Sequence, residues 1–554
     1  MSFVAINPEI DASKSTMPIH KVHGTQVSVR TVTSSAYSVN NISWNVVPPN
    51  MNTFVNRAIE FRVPMQIVFN STIVDPLGVA LVLENDKSAL RSLSGLRMQL
   101  NSQYTINGQG LNSQQVYQIA DIVAHYKREY RRKHPLGAVD NVQYYPDAVG
   151  SLSNPLSDYN DCEGYEGGMK RGAFRYTSIA QGAFQTTLQF DLIDYLYYPD
   201  LLGLDKEDEL GLLRIRNFDV NMSLQLDSKH IWSQSYDALK TLDSEPVFSL
   251  TSAPSLLVKY VSVAPDMLPK EPLMYNHTRM EVFQTAYGAL GVNGLATINS
   301  NNIQLSNVPK FVFMFVRESD ANKVVTDSDT FCAINNVSIN FNNQVALCSS
   351  MSQNDLWRAS KEVGLIDSLD QFKGLSQSSF TTIGTMGSLV GLSFGKHISL
   401  DGLEVGQGGA FNFNVAVQAT NVNQNGATGA LTNATLFVVI AYDQTLVIDE
   451  GGLLTIQTPL AQGVQGDVSV VPYHHSFDVG GSIGSFFGRI NDFLKKNKII
   501  SSIANAVAPA LAAIPTYGGP ASQAATTIGK MAANLGYGAG TMNKNDLKRA
   551  MQKL

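Results

Sequence analysis

A chain of 554 residues exceeds the about 100 to 200 residues that one compact core usually organises, so it divides into several units. Apolar residues make up 44% and charged residues only 16%, with 43 glycines, which excludes a disordered polyelectrolyte and a coiled coil. The formal net charge of −6 excludes a protein that coats nucleic acid over its whole surface.

That charge is unevenly placed. From Ser476 to Leu554 nine Lys/Arg face three acids, which puts a +6 tail on a −12 body. Cys162, Cys332 and Cys348 are odd in number and form no CxxC or Cys/His cluster, so neither a disulfide scaffold nor a zinc ribbon is expected. The opening stretch, MSFVAINPEIDASKS, lacks a basic segment followed by an apolar one; residues 1–24 read as an arm without a secretory signal. On that reading the sequons at Asn70, Asn276 and Asn433 are chance matches.

The first clear strand is the alternating run Ile59, Phe61, Val63, Met65, Ile67. Pro64 within it cannot donate to a ladder, which suggests an edge or a bulge. Next, Leu93, Leu96, Met98 and Leu100 lead into a polar Asn101-Ser102-Gln103 turn and then Ile106. At an offset of 241 residues Ile334, Val337, Ile339 and Phe341 lead into Asn342-Asn343-Gln344 and then Leu347. Each copy then enters a helical pattern, at Val116-Tyr117 and at Leu356-Trp357. Strand, turn, strand, helix occurs twice, which predicts two similar β-domains in tandem. Their expected extents are 25–245 and 246–460, with a Pro-bearing junction at Ser244-Glu245-Pro246.

The spacing predicts a helix over 113–133, capped by Ser113, with Val116, Ile119, Val123, Tyr126 and Tyr130 on one face and His134-Pro135 as its stop. Its last turns carry Lys127, Arg128, Arg131, Arg132 and Lys133. They form either a solvated end complementing the helix dipole or a basic patch for phosphate or a partner. The acidic loop of Asp158, Asp161, Glu163 and Glu166 lacks the ligand spacing of a calcium hand and reads as solvated.

Alternation returns in Phe218, Val220, Met222, Leu224 and in Phe411, Phe413, Val415, Val417, each set against Asn, Gln, Ser or Asp. Phe311 to Val316 and Leu436 to Ala441 are continuously apolar, as strands covered on both faces are. Two layers of sheet are implied.

Catalytic, cofactor and metal sites are not expected. Gly395-Lys396 has Val390 where a phosphate loop needs glycine and His397 where it needs Ser or Thr, and Gly529-Lys530 fails likewise. His474-His475 lies in the linker 461–481, and adjacent histidines on an extended chain point to opposite sides.

Residues 482–554 form the tail. From Ser485, Phe486, Ile490, Phe493, Leu494 and Ile503 recur at helical spacing, with Arg489, Lys495, Lys496 and Lys498 beside them. A basic amphipathic helix follows, and Pro509, Pro515 and Pro520 keep the uncharged stretch behind it from being a spanning helix. Such a helix suits contact with a membrane surface, a partner protein or a genome; docking on its own body is the alternative.

The block NVPKFVFMFVRESDANKVVTDSDTFCAINNVSINFNNQVALCSSMSQNDLWRASKEVG, Asn307 to Gly364, resembles the second roll of double jelly-roll major capsid proteins. These are the coat proteins of virophages, polinton-like viruses and adenovirus-like hexons. ISWNVVPPNMNTFVNRAIEFRVPMQIVF, Ile42 to Phe69, is similar to their first-strand region, and FNFNVAVQA and TLFVVIAYDQTLVI to their closing strands. The resemblance implies an all-β double jelly roll: two tandem eight-stranded jelly rolls with short inserted helices and a C-terminal amphipathic helical tail. It implies a homotrimer forming a pseudo-hexameric capsomer that tiles an icosahedral shell in the virion, without catalysis, cofactor or small-molecule substrate. Neighbouring capsomers, penton and minor capsid proteins are the implied partners, with an internal membrane or viral DNA at the tail. Two other readings stay open: a tandem jelly-roll carbohydrate- or receptor-binding protein, and a polysaccharide-degrading enzyme, which needs two carboxylates about 5 to 9.5 Å apart.

Overall fold

The computed structural model describes residues 26–457 apart from 57–58, 71–87, 92, 127–177, 182–183, 197–210, 235–244, 263–271, 328, 378–381, 385, 404 and 423–428. The basic patch Lys127 to Lys133, the acidic loop with Cys162, His474-His475 and every tail residue from Phe486 to Ile503 therefore lie outside the described residues.

The first roll consists of β1 (Gln26–Thr33), β2 (Asn41–Val46), β3 (Glu60–Asn70), β4 (Gln99–Ile106), β5 (Gln109–Gln114), β6 (Gln185–Tyr195), β7 (Phe218–Leu224) and β8 (Ser255–Ser262). Pairing runs β1-β8-β3-β6 in one sheet and β2-β7-β4-β5 in the other, all antiparallel. The second roll has β9 (Leu273–Leu290), β10 (Leu295–Asn299), β11 (Ile303–Asn307), β12 (Phe311–Glu318), β13 (Ala333–Phe341), β14 (Gln344–Leu347), β15 (Val390–Ser393), β16 (Gly408–Thr420) and β17 (Leu431–Ile448). Its sheets run β9-β17-β12-β15 and β10/β11-β16-β13-β14. Taking β10 and β11 as halves of one strand, both rolls read 1-8-3-6 and 2-7-4-5, the jelly-roll order. The inserted helices are α1 (Ser94–Arg97), α2 (Val116–Ala124), α3 (Gln353–Val363) and α4 (Leu369–Lys373).

Each roll closes on its own sandwich core because alternate residues of facing sheets point inward. Trp44, Phe61, Val63, Tyr104, Phe190, Val220 and Val258 fill the first, and Leu305, Val312, Val337, Val415, Val417 and Ile440 the second. Phe311 to Val316 is buried almost throughout, as its uninterrupted apolar pattern required.

Four expectations change in detail. Strand β8 holds an interior position in the first roll's sheet, between β1 on one side and β3 on the other, so a division at Glu245-Pro246 separates strands of one roll. The internal repeat holds at a different offset. Leu93 and Leu96 sit at and within α1, and Asn101-Ser102-Gln103 is the middle of β4 rather than a turn. The hairpin turn is Asn107-Gly108, with φ of 50° and 86°, and its counterpart begins at Asn342 with φ of 54°, an offset of 235. Buried Gln99 and Ser102 disguised the inward pattern of β4; Ser102 Oγ donates to Gln99 Oε1 at 2.6 Å and Gln99 Nε2 to Gly95 O at 2.9 Å, so each polar group is paired inside.

The helix predicted from Ser113 begins at Val116 and caps at His125, because Ser113 is a buried residue of β5 paired with Ser102. Pro64 lies in an interior strand, and the irregularity belongs to its neighbour: Val247–Leu250 and β8 pair with β3 on either side of a break, and Thr251 N donates to Pro64 O across it. Nitrogen and carbonyl of one strand residue face the same way, so the missing N–H points into the break.

Candidate functional site: the joint between the rolls

The densest cluster of buried ions among the described residues lies where the rolls meet. Helix α2, inserted in the first roll, lays Ile119 and Ile122 against Phe313, Phe315, Phe437 and Val439 on the outer face of β12 and β17. This third apolar cluster is why those two strands are buried on both faces.

Beside it runs a chain of buried ions. Arg91 Nη1 lies 2.9 Å from Asp329 Oδ1, both side chains fully buried, and Arg91 Nη2 donates to Asp327 O at 2.7 Å. Arg97 reaches Asp121 of α2 at 2.9 Å and Asp329 at 3.8 Å. Arg317, at the end of β12, donates from Nε to Asp121 at 3.0 Å and from Nη1 to Asp320 at 2.8 Å. Lys323 Nζ sits 3.0 Å from Asp329. Arg317 also stacks 4.2 Å from the Phe437 ring centroid, and Phe437 stacks on Phe315. Glu318 accepts from the backbone N–H groups of Ser319, Thr432 and Asn433.

Burial and pairing compete in this cluster. Burial pushes the carboxyls of Asp121, Asp320 and Asp329 up, but the neighbouring guanidiniums outweigh it and leave all three below the ordinary 3.8. For Asp327 burial wins over its Val324 N–H bond and raises it to about 6. Burial likewise lowers Lys323 to about 8 and His230, packed on Tyr117, to about 3. Desolvating an ion costs several kcal/mol, so such a network contributes alignment more than stability: only one relative position of the rolls brings Arg317 to Asp121 and Arg91 to Asp329.

Two further clasps join the same halves. Tyr126 Oη donates to Val363 O at 2.8 Å, Ile366 N donates to His125 O at 3.0 Å, and His125 Nδ1 lies 2.9 Å from the Asp367 carboxylate. Asn107 Nδ2, on the first roll's hairpin turn, donates to Gly452 O at 2.6 Å, and Arg216 Nη2 donates to Gly451 O at 2.6 Å.

The apolar half of the joint, Ile119, Tyr126 and the runs holding Phe313, Phe315, Phe437 and Val439, was legible in the sequence, whereas none of its ion-pairing residues was singled out there. The available signal was a charge abutting an apolar run: Arg317 directly after Phe311 to Val316, and Arg97 between Leu96 and Met98. Of the expected site residues, the basic patch and the tail set fall outside the described residues. Cys332 is buried and Cys348 half-buried, both as free thiols.

Fold and joint together define a double jelly-roll protein whose halves are clamped as one block. Residues 19–189 match the model of the Sputnik virophage major capsid protein 1st domain, and 280–444 that of the major capsid protein V20 C-terminal domain. The putative capsid protein V20 of Sputnik virophage is 25% identical, over 93% of this chain and 90% of its own length. A chain in the cryo-EM structure of the Sputnik virophage superposes with a TM-score of 0.68 at 21% identity, covering 88% of this chain and 98% of that one. The mavirus major capsid protein superposes with 0.62 at 15% identity, covering 83% and 96%. The chain is a double jelly-roll major capsid protein, a non-enzymatic component of the virion shell.

Proposed function

We propose that three copies of this chain close into a pseudo-hexameric capsomer, with the two rolls of each supplying two of six similar corners. The observation that supports it is the pair of rolls with one strand order held by a desolvated joint. Threefold closure is a heterologous ring, in which different surfaces of a subunit must fit each other. A fixed angle between rolls repeats that fit three times; a loose one would not. We place the boundary between the rolls after Ser262, where the first roll's eighth strand ends.

The tail, 482–554, faces the particle interior in this reading, with Arg489, Lys495, Lys496 and Lys498 toward anionic lipid, a minor capsid protein or DNA. Native mass measurement and electron microscopy of purified protein test the assembly. Particles of about three chain masses with a hexagonal outline are expected; a stable monomer that binds a saccharide would instead support the carbohydrate-binding reading and overturn this one.

A further inference from the structure

The outer faces of the two four-stranded sheets β2-β7-β4-β5 and β10/β11-β16-β13-β14 share an unusual chemistry. In the first roll, register places Asn45, Asp219 and Thr105 in one row across β2, β7 and β4. Ser43, Asn221 and Gln103 form the next row, and Asn112 of β5 extends it. Asp219 is the one charge in these rows, and Asn45 Nδ2 donates to it at 2.6 Å. In the second roll Gln418 lies between Thr297 and Asn336. Asn340 Nδ2 donates to Asn414 at 3.0 Å and Asn302 Nδ2 to Asn412 at 3.2 Å.

Solvent-facing surfaces ordinarily carry Lys, Arg, Glu and Asp at about a quarter to a third of positions. Amides and hydroxyls replace them on both rolls. The body of the chain carries −12, so copies repel wherever their charged surfaces approach, and a neutral face removes that penalty. An amide presents donor and acceptor together, so a face of this kind complements another of the same kind, whichever roll supplies it. Contacts made and remade during assembly are polar, whereas obligate ones are apolar.

We propose that these two faces are the lateral surfaces through which copies of this chain in adjacent capsomers meet. The inference rests on the shell-building reading above and adds the surface that does the joining. It is tested with two double variants of the full chain at exposed positions, Asn221→Asp with Asn412→Asp, and Asn221→Lys with Asn412→Lys. Each alone is expected to form capsomers of parental mass and melting temperature but at least about tenfold fewer closed particles, because the altered contact recurs throughout the shell. Mixing the two is expected to restore particles containing both. Parental yields from both variants, loss of the capsomer itself, or a mixture without rescue would each overturn the inference. So would particles of parental size that lose a second protein, since the faces would then serve another partner. A parent chain that forms capsomers and never closes a shell overturns the shell-building reading, and this inference with it.

Discussion

Arg317, the residue after the second roll's most apolar strand segment, places its Nε 3.0 Å from Oδ2 of Asp121, on a helix inserted in the first roll. Asp121 is at the same time 2.9 Å from Arg97, so one carboxylate neutralises a cation from each roll. Removing it as Asp121→Ala leaves two guanidiniums buried without their shared partner, and a loss of about 3 to 5 kcal/mol is expected in denaturant unfolding of the capsomer. Asp121→Leu with Arg317→Met should lose less than the sum of its single changes. An additive cycle would show that the pair is not coupled.

Asp327 supplies a pH dependence of known sign. Its folded value of about 6 exceeds the ordinary 3.8, so its contribution is fully present below 3.8 and is lost as pH rises through 6. Asp327→Asn keeps an acceptor for Val324 N–H and removes the buried charge. Relative to the parent it should gain about 3 kcal/mol between pH 3.8 and 6 and nothing further above. A pH-independent difference in urea midpoints would refute this.

His230 acts in the opposite sense. Burial holds it neutral to about pH 3, whereas the unfolded chain takes up its proton near 6.5. Its contribution is therefore present above 6.5 and is lost as pH falls toward 3. His230→Gln should flatten the stability profile across that window; a profile that keeps the parental slope would assign the slope to another group.

The three low carboxyls, Asp121, Asp320 and Asp329, stabilise the joint above 3.8 and release it as pH falls through their folded values. Gly364 tests the neighbouring clasp by geometry alone. Its φ is +112°, and a Cβ there would stand 2.7 Å from Tyr126 Oη. Gly364→Ala is expected to lower stability by about 2 kcal/mol or more, from backbone conformation and overpacking together. Pairing it with Tyr126→Ala should recover the overpacking share and leave the conformational one; no recovery would mean that Tyr126 does not press on this site.

Truncation after His475 separates tail from body. The shortened chain should keep the parental number of subunits per capsomer and the parental melting temperature while losing salt-sensitive association with anionic liposomes or DNA. Unchanged association would remove the tail from that role, and loss of folding would favour its docking on the body.

The duplicated plan was readable in the chain because alternation and turn chemistry are local: Phe411 to Val417 and Phe218 to Leu224 needed only period two. Asn107-Gly108, a strong hairpin signal, was equally local and marks the true register of the repeat. What resisted reading was β4, whose inward Gln99 and Ser102 are satisfied by each other and by Gly95. Residues such as Arg91 and Asp329, 238 positions apart, resisted it as well. Side-chain periodicity follows from bond geometry within one strand, so the sequence by itself determined two sandwiches. Which charges meet between them depends on how two finished rolls approach, and only the tertiary structure decided that, because a buried ion is tolerable solely where its partner arrives from the other side.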